Sequence, residues 1–460
     1  MKIIFRLALF IVLNCLLVVT GVTYAQSDLI KKDSSLVTSL SNPGRNPWES
    51  IYVQRQADPV WDVGRYVSLA LRPFDDSPVI AYYDYTNGDL MVAIPVGADN
   101  GNCGTDNAWS CNPVDGASSN VGSYTSMDIW GDSADLWKLG ISYRSGTDDR
   151  IKVYILTCVQ GTCTPTYSTL DFSLYGARSS FKFKSNGDAA LVYFTTRLYY
   201  AYQTSKTEIK FDALEPTISW SDGPIFSYFP SFNDSFSLDF NYEDEPFISY
   251  HMWDTDEGGK YFGYAIPYQD PYHFCDPDTN WNCYKVTTFE DAGQYASIAA
   301  PKSENDPVRI AYIEETYNHL YYYESGWGSF MVDELGESIA SRGISLQIDN
   351  DGYPVIAYQK IESDFSPPAL WIARPYMVYD DGAFGNCGSI PPGMTDLYWR
   401  CTPLDTGNQY VSEAEYLSLV VNSKGLLAIA YSEMDEYDYY MSVKYIYQYF
   451  YKNLLPLTMK

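Results

Sequence analysis

The chain has 460 residues and a formal net charge of −28 at pH 7. A protein this acidic repels nucleic acid and anionic membranes, which argues against both as partners. The length alone is typical of two or three domains, but that expectation does not hold for a chain built from repeats.

The N-terminus has the parts of a secretory signal peptide. Lys2 and Arg6 form a positive segment, residues 7–19 are apolar, and Thr23 and Ala25 are small residues before a predicted cleavage after Ala25. No other stretch reaches the roughly 18 apolar residues of a membrane-spanning helix. The mature chain is therefore predicted to lack a transmembrane segment and to be secreted, either extracellular or on the cell surface. Residues 26–47 are predicted to be a linker.

One phrase recurs seven times after the linker. A serine lies in a first strand-like run, and a second run ends in a tyrosine after a polar turn. The serines are Ser68, Ser126, Ser180, Ser237, Ser297, Ser345 and Ser418, and the tyrosines are Tyr82, Tyr143, Tyr193, Tyr250, Tyr312, Tyr358 and Tyr431. From the first serine to the last is 418 − 68 = 350 residues in six steps. Such a period, with four strands and loop insertions, is typical of a propeller blade.

The predicted fold is all-β, a single seven-bladed β-propeller of four-stranded blades over residues 48–448. Val, Ile, Tyr, Phe and Thr dominate each repeat, and turn residues punctuate it at short spacing. The last repeat has three strands before the chain reaches the predicted tail, residues 449–460. Residues 50–56 are therefore predicted to be the missing outer strand, closing the ring and removing an open sheet edge.

The mature chain has eight cysteines in four local pairs, which in a secreted chain indicates disulfides. The predicted pairs are Cys103 with Cys111, Cys158 with Cys163, Cys275 with Cys283, and Cys387 with Cys401. Zinc is the alternative, but the pairs lie far apart and the chain has three histidines. In three of these loops a tryptophan lies two residues before the second cysteine; it is expected to pack against the disulfide, with a ligand platform as the alternative.

The repeat resembles a family of secreted bacterial β-propeller proteins that is distantly akin to the sialidase-like propellers. The resemblance rests on the Ser-Leu-Ala-Leu run at Ser68, the Pro-Val-Ile-Ala-Tyr-Tyr-Asp run at Pro78, the Gly-Asp-Leu turn at Gly88 and the Trp-x-Cys loops. It covers about residues 48–448 and implies the propeller fold. The aspartate-box signature of sialidases, Ser-x-Asp-x-Gly-x-Thr-Trp, is absent. The resemblance therefore does not imply sialidase chemistry.

No catalytic motif stands out, and no catalytic residue is predicted. Two acidic stretches alternate oxygen donors in the way a calcium site requires. They contain Asp254 with Asp256, and Asp276 with Asp278. The two stretches therefore suggest calcium as a cofactor, with a solvated turn as the alternative for both.

The leading functional hypothesis is a non-catalytic binding or surface-interaction protein, a monomer whose ligand is a glycan or an extracellular protein. Tyrosine is unusually abundant, with 44 residues, and Tyr or Trp beside carboxylates suits both ligands. The site is predicted in the loops between strands two and three, at Tyr85, Trp253, Asp254, Asp256, Tyr317 and Tyr437. The alternatives are a carbohydrate-active enzyme, either a glycosidase or a polysaccharide lyase, and a structural component of the envelope.

Overall fold

The computed structural model describes most of the repeat region. The described residues are 48–54, 62–116, 120–169, 178–194, 198–205, 208–213, 236–254, 259–267, 281–287, 292–336, 343–360, 369–377, 385–388, 397–405, 417–434 and 440–448. The predicted signal peptide, linker and C-terminal tail lie outside them.

The described residues form 28 β-strands in seven four-stranded antiparallel sheets, here called blades 1–7. Blade 1 contains β2 (Val63–Leu71), β3 (Pro78–Asp84), β4 (Asp89–Pro95) and β5 (Trp109–Asp115), with a short 3-10 helix at Thr105–Asn107. Blade 2 contains β6 (Val121–Ser133), β7 (Leu136–Ser145), β8 (Arg150–Val159) and β9 (Thr162–Thr169). Blade 3 contains β10 (Ser179–Phe183), β11 (Ala189–Phe194), β12 (Leu198–Ser205) and β13 (Glu208–Ala213).

The remaining blades repeat this arrangement. Blade 4 contains β14 (Ser237–Phe240), β15 (Pro246–Asp254), β16 (Gly259–Pro267) and β17 (Trp281–Thr287). Blade 5 contains β18 (Ala292–Ala299), β19 (Arg309–Glu314), β20 (His319–Glu324) and β21 (Gly328–Glu334). Blade 6 contains β22 (Ile344–Ile348), β23 (Pro354–Lys360), β24 (Ala369–Met377) and β25 (Leu397–Asp405). Blade 7 contains β26 (Leu417–Val421), β27 (Leu427–Met434), β28 (Met441–Gln448) and β1 (Trp48–Gln54).

The seven blades form a closed ring, as the repeat predicted. The first strand of each blade contacts the first strand of the next, and β26 of blade 7 contacts β2 of blade 1. β1 pairs antiparallel with β28, with Trp48 opposite Gln448 and Ile51 opposite Tyr445. The N-terminal strand therefore completes blade 7. It begins two residues earlier than predicted, at Trp48.

The core consists of apolar layers between neighbouring blades. Among the described residues, seven buried clusters occur, one at each of the seven blade-to-blade interfaces. Neighbours in a strand point to opposite faces, so Ile80 and Tyr82 pack towards blade 7 while Val79 and Ala81 pack towards blade 2. The strands are apolar on both sides because both faces of each sheet are covered. The seven repeated tyrosines are all 0–2% exposed.

The repeated serines join each blade to the next. Their side-chain oxygens accept hydrogen bonds of 2.9–3.4 Å from backbone N–H groups of the following blade. The donors to Ser68, Ser126, Ser180, Ser237, Ser297 and Ser345 are Met127, Phe181, Leu238, Ile298, Leu346 and Leu419. At the closure the direction reverses, because Ser418 donates to the carbonyl of Leu69 at 3.4 Å. The seven repeated serines are here called the serine ring. In six blades they supply an acceptor for an N–H group on the inner edge strand, where no further strand is present to pair with it.

Three of the predicted disulfides are confirmed: Cys103–Cys111, Cys158–Cys163 and Cys387–Cys401. Cys283 is also disulfide-bonded, and its predicted partner Cys275 lies outside the described residues. The loop tryptophans Trp109, Trp281 and Trp399 are at most 3% exposed, so they pack inside the fold.

Deleting residues 48–54 is expected to abolish cooperative unfolding. The deletion removes the buried Val53 and Gln54, whose side-chain oxygen accepts a hydrogen bond from Tyr82 of blade 1. Val53→Ala should cost about 1–3 kcal/mol of unfolding free energy, whereas Glu49→Ala, on the exposed part of β1, should cost about 1 kcal/mol or less. Scanning calorimetry measures all three; a truncated chain that melts in one transition at the wild-type temperature would contradict the closure role.

Ser126→Ala is expected to lower the free energy of unfolding by about 1–3 kcal/mol, because the N–H of Phe181 loses its acceptor. Ser133→Ala, in the same strand but outside the serine ring, is the control and should change it by about 0.5 kcal/mol or less. Urea denaturation compares the two, and equal effects would show that the inter-blade bond contributes nothing.

Candidate functional site

One face of the ring, here called the upper face, carries the beginnings of the inner strands and the turns between strands two and three. In blade 1 the first residue of β2, Val63, lies opposite the last residue of β3, Asp84. The connection from β5 to β6 reaches the same face, because the N–H of Val121 bonds to the carbonyl of Gly88 in the turn at 2.9 Å. Turn residues from neighbouring repeats therefore meet here, although they are distant in sequence.

The β3–β4 turn of blade 1 is held rigid by a buried carboxylate. Asp84 is 2% exposed and accepts hydrogen bonds from the backbone N–H of Asn87 at 3.0 Å and from its side-chain amide at 2.7 Å. The backbone N–H of Tyr85 bonds to the carbonyl of Asp62 at 3.0 Å. Tyr85 is thus fixed at the tip of the turn with its side chain 56% exposed.

Four tyrosines form a continuous strip across blades 1 and 2, here called the tyrosine strip: Tyr124, Tyr66, Tyr83 and Tyr85. Ring centroids lie 4.3 Å apart between Tyr124 and Tyr66, 6.0 Å between Tyr66 and Tyr83, and 6.0 Å between Tyr83 and Tyr85, the last pair edge to face. These separations are those of interacting aromatic rings. The strip runs from the start of the inner strands outwards to the exposed turn.

An arginine lies over the ring at each end of the tyrosine strip. The guanidinium carbon of Arg65 is 4.4 Å from the ring centroid of Tyr85, and that of Arg178 is 4.8 Å from the ring centroid of Tyr124. Arg65 is itself paired with Asp62 at 2.7 Å. Burial lowers the pKa of Arg65, but its hydrogen bond to Asp62 and the charge of that carboxylate together hold the pKa above its usual value. Its charge is therefore neutralised locally, and it acts on Tyr85 as a packing partner.

Tyr66, Tyr124 and Tyr295 occupy the same position in three blades and share an unusual backbone. Each lies two residues before the repeated serine and has a φ of 53–58°, in the left-handed region. A non-glycine residue there costs about 1–2 kcal/mol. Strain of this kind persists where surrounding structure imposes it, and it concentrates at functional sites.

The inner strand forms a β-bulge at each of these positions, because its pairing register with the second strand shifts there. The glycine two residues before each tyrosine makes this bulge. Gly64, Gly122 and Gly293 have φ of +97°, +110° and +102°. A Cβ on Gly122 would lie 2.6 Å from the Cα of Leu90 in β4, and one on Gly293 would lie 2.1 Å from the ring of Phe262 in blade 4. Only glycine lets the inner strand approach the preceding blade so closely, and the approach turns the following tyrosine towards the upper face.

A groove of about 1020 Å³ adjoins the outer end of the tyrosine strip. It is lined by Tyr83, Tyr85, Thr86, Asn87, Gly88, Asp89, Pro113, Val114, Asp115, Gly116, Asn120 and Tyr167. Tyr167 from blade 2 is 57% exposed and adds a second exposed aromatic ring to the lining, and its hydroxyl donates to the carbonyl of Val114 at 2.8 Å. The lining therefore combines aromatic rings with amide and carboxylate groups, a composition suited to binding a polar organic ligand.

Two carboxyl groups lie in this groove, and they differ in their surroundings. Partial burial, together with the charges of Asp84 and Asp115, raises the pKa of Asp89. Asp115 instead accepts a hydrogen bond from the hydroxyl of Tyr143 at 2.6 Å and lies 3.5 Å from Lys152. Burial and the bond to Asp115 raise the pKa of Tyr143 far above its usual value of 10.0, which keeps its hydroxyl protonated as the donor.

The contact between Asp115 and Tyr143 recurs as a link between other blades. Asp333 of blade 5 accepts from Tyr358 of blade 6 at 2.7 Å, with Lys360 at 2.8 Å. Asp405 of blade 6 accepts from Tyr431 of blade 7, with Lys444 at 2.8 Å. In each case a carboxylate on the outer strand of one blade accepts a hydrogen bond from the repeated tyrosine of the next blade. Asp115 is therefore explained as an inter-blade link.

The predicted ligand-binding residues that the structure describes lie in different blades. Tyr85 lies in blade 1 and Tyr317 in blade 5, across the ring, so the two do not share a pocket. Trp253 and Asp254 end β15 in blade 4, but their side chains are not described. Asp256 and Tyr437, together with the calcium candidates Asp276 and Asp278, lie outside the described residues. The described part of the chain holds no group of three or more His, Cys, Asp or Glu side chains that could bind a metal.

Sequence reasoning missed Tyr66, Tyr83, Tyr124 and Asn120. A signal for two of them was present, because Gly-x-Tyr-x-Ser occurs at Gly64, Gly122 and Gly293. The glycine at a fixed distance before a strand indicates a bulge. Nothing in the sequence indicates that Asn120 accepts a hydrogen bond from the Tyr83 hydroxyl.

The sequence matches no protein-family model and no curated protein. Similar solved structures include the core factor of S. cerevisiae (9% identity, 92% of this chain and 65% of that one, TM-score 0.43). They also include the α-L-arabinofuranosidase Arb93A from Fusarium graminearum (10%, 87% and 98%, 0.41) and the NanB sialidase from Streptococcus pneumoniae (10%, 91% and 72%, 0.40). The chain spans less than two thirds of the core-factor chain. These likenesses carry no inference about activity. Across the described ranges, no helix has the length and hydropathy needed to cross a membrane.

Gly122→Ala is expected to destabilise the fold by about 1–3 kcal/mol more than Gly161→Ala. Both glycines have positive φ, so both variants strain the backbone, but a Cβ on Gly161 meets nothing within 4 Å whereas one on Gly122 meets the backbone of β4. Guanidinium unfolding gives the difference. Equal destabilisation would show that the close approach of β6 to β4 does not determine where Tyr124 lies.

Proposed function

We propose that this is an extracellular, non-catalytic binding protein that recognises a neutral glycan through Tyr85, at the exposed end of the tyrosine strip, and through the adjoining groove. The observation that carries the proposal is the continuous run from Tyr124 to Tyr85, which ends in an exposed ring beside a polar groove. The confirmed disulfides support an oxidising compartment.

The chemistry of the groove suits a sugar. A pyranose presents a weakly polar C–H face and a rim of hydroxyl groups. The exposed ring of Tyr85 and the ring of Tyr167 offer flat apolar surfaces for the C–H face. Asn120 and Asp89 offer acceptors for hydroxyl groups, and the amide of Asn120 also offers donors.

The rigidity of Tyr85 supports binding. One face of its ring is covered by Arg65, its edge meets Tyr83, and its backbone is fixed by Asp62. Because the ring is already ordered, little conformational entropy is lost when a ligand stacks on its free face.

Charge favours a neutral ligand. The chain carries a net charge of −28, and the groove contributes two carboxylates. The nearest arginine, Arg65, is already paired with Asp62. An anionic polysaccharide would meet repulsion over most of the surface without an unpaired cation in the described groove lining to offset it.

Glycoside hydrolysis is the second candidate, favoured by the raised pKa of Asp89 beside Asp115. A glycosidase needs two carboxyl groups flanking the bond, one of them a proton donor. Asp115, however, makes the same link to a repeated tyrosine that Asp333 and Asp405 make elsewhere in the ring. Asp115 is thus accounted for structurally, which leaves Asp89 without a free partner in the groove and favours binding.

The secreted protein is expected to bind neutral polysaccharides or oligosaccharides on a glycan array, equally with calcium and with chelator. Tyr85→Ala should weaken binding at least tenfold, about 1.4 kcal/mol, because the exposed stacking surface is lost. Tyr242→Ala is the matched control, since Tyr242 is 49% exposed and lies in the turn between β14 and β15 on the opposite face. Isothermal titration calorimetry measures both variants.

Three outcomes would contradict the proposal. No binding to any glycan would exclude carbohydrate recognition and favour a protein partner or an envelope role. Binding lost only with chelator would place the site at the acidic stretches containing Asp254 and Asp276. Release of new reducing ends that Asp89→Asn abolishes would establish the hydrolase instead.

A further inference from the structure

Blade 5 repeats, on the same face, the arrangement that presents Tyr85 in blade 1. Tyr317 lies in the turn between β19 and β20 and is 72% exposed. The carboxylate of Glu314 is 4% exposed and accepts hydrogen bonds from the backbone N–H groups of Thr316 at 2.8 Å and Tyr317 at 3.1 Å. Glu314 follows the repeated Tyr312 by two residues, as Asp84 follows Tyr82. The two turns are therefore fixed by the same device.

The ring of Tyr317 is also supported by other rings, as that of Tyr85 is. His319 stacks on Tyr317 with centroids 5.9 Å apart and planes at 26°. Tyr321 follows at 6.3 Å from His319 and stacks on the buried Tyr312 at 5.6 Å. In blade 5 the supporting rings come from the third strand rather than the second, so the exposed ring is displaced outwards from the inner strand.

The inner strand of blade 5 shares the strained feature of blade 1. Tyr295 has a φ of 53° and follows Gly293, as Tyr66 follows Gly64. Among the described residues, blades 1 and 5 each combine a left-handed tyrosine at this position with an exposed tyrosine in the turn between strands two and three. Ordering a large aromatic ring in water, with a buried carboxylate to fix its backbone, opposes folding unless other interactions compensate for it. That an exposed tyrosine with a buried carboxylate fixing its turn occurs twice on the upper face indicates a shared function.

We infer that blade 5 carries a second glycan site, centred on Tyr317 and His319, for the same class of neutral sugar as the blade 1 groove. The inference rests on the proposed function. Three blades separate blade 1 from blade 5 in one direction and two in the other, so the two sites lie across the ring and face the same side. The protein would thus hold a polysaccharide surface at two points.

Two sites on one rigid ring raise the effective concentration of the second binding event once the first has occurred. A short oligosaccharide occupies each site independently, whereas a polymer surface engages both. The expected signature is a stoichiometry of two for short sugars and a dissociation from immobilised polymer that is slower than either site alone provides.

The test compares five proteins: the wild type, Tyr85→Ala, Tyr317→Ala, the double variant and the control Tyr242→Ala. Calorimetry measures their binding to cellohexaose, xylohexaose, mannohexaose and chitohexaose. A surface-binding assay measures their dissociation from the corresponding immobilised polymers. For the hexasaccharide that binds, wild type and Tyr242→Ala should show two sites per chain. Each single variant should show one site, and the double variant none. Tyr317→Ala should weaken binding to immobilised polymer at least tenfold while leaving the affinity of the blade 1 site unchanged. Near-ultraviolet circular dichroism confirms that each variant is folded.

The outcomes separate the two proposals. One site per chain, lost in Tyr85→Ala and unaffected by Tyr317→Ala, would overturn the second site and leave the proposed function standing. No binding of the wild type to any of the four hexasaccharides or their polymers would overturn both.

Discussion

The hydrogen bond from each blade to the serine of the preceding blade is the interaction on which the ring depends. The inner strand of a blade has a neighbour on one side only, so alternate N–H groups on its free edge need acceptors. A serine oxygen from the preceding blade supplies one at the same level in six successive interfaces, and Ser418 completes the circle by donating to Leu69. Since all seven links are equivalent in position, the blades are held at one height and their turns reach one face.

Further out, a second set of contacts fixes the angle between blades. The repeated tyrosine is buried against the preceding blade, and in four interfaces its hydroxyl donates to the outer strand of that blade, at Asp115, Asp333, Asp405 or Gln54. Gln54 belongs to β1, so the N-terminal strand reproduces across the closure what β5, β21 and β25 do within the chain. The closed circle therefore rests on specific polar contacts as well as on apolar burial, and the four tyrosine hydroxyls at these interfaces are paired.

The same residue type thus serves two purposes, decided by its position. Tyr82 and its six equivalents are core residues, whereas Tyr85 and Tyr317 lie in turns on the upper face with their side chains exposed. The left-handed tyrosines lie between these extremes: they are half-buried, and their backbone is strained by the close approach of a glycine to the neighbouring blade. The ring supplies enough stability to impose this strain, and the strain places Tyr66 and Tyr124 where they connect the core to the exposed ring of Tyr85.

The sequence by itself determined the number of blades, the strand type, the closing strand and three disulfide pairs, because each depends on a repeated pattern or on residues close together in the chain. Ser68 and Tyr82 mark one blade wherever they recur, and Cys158 and Cys163 are five residues apart. Only the tertiary structure decided which tyrosines contact one another across a blade boundary. Tyr66 meets Tyr124 across 58 residues and a blade boundary, and the predicted ligand-binding residues Tyr85 and Tyr317 lie in blades on different sides of the ring. Composition alone does not distinguish a tyrosine that packs between blades from one that faces water. The difference arises from the bulge, the register of the neighbouring blade and the carboxylate that fixes each turn, which exist only once the ring has closed.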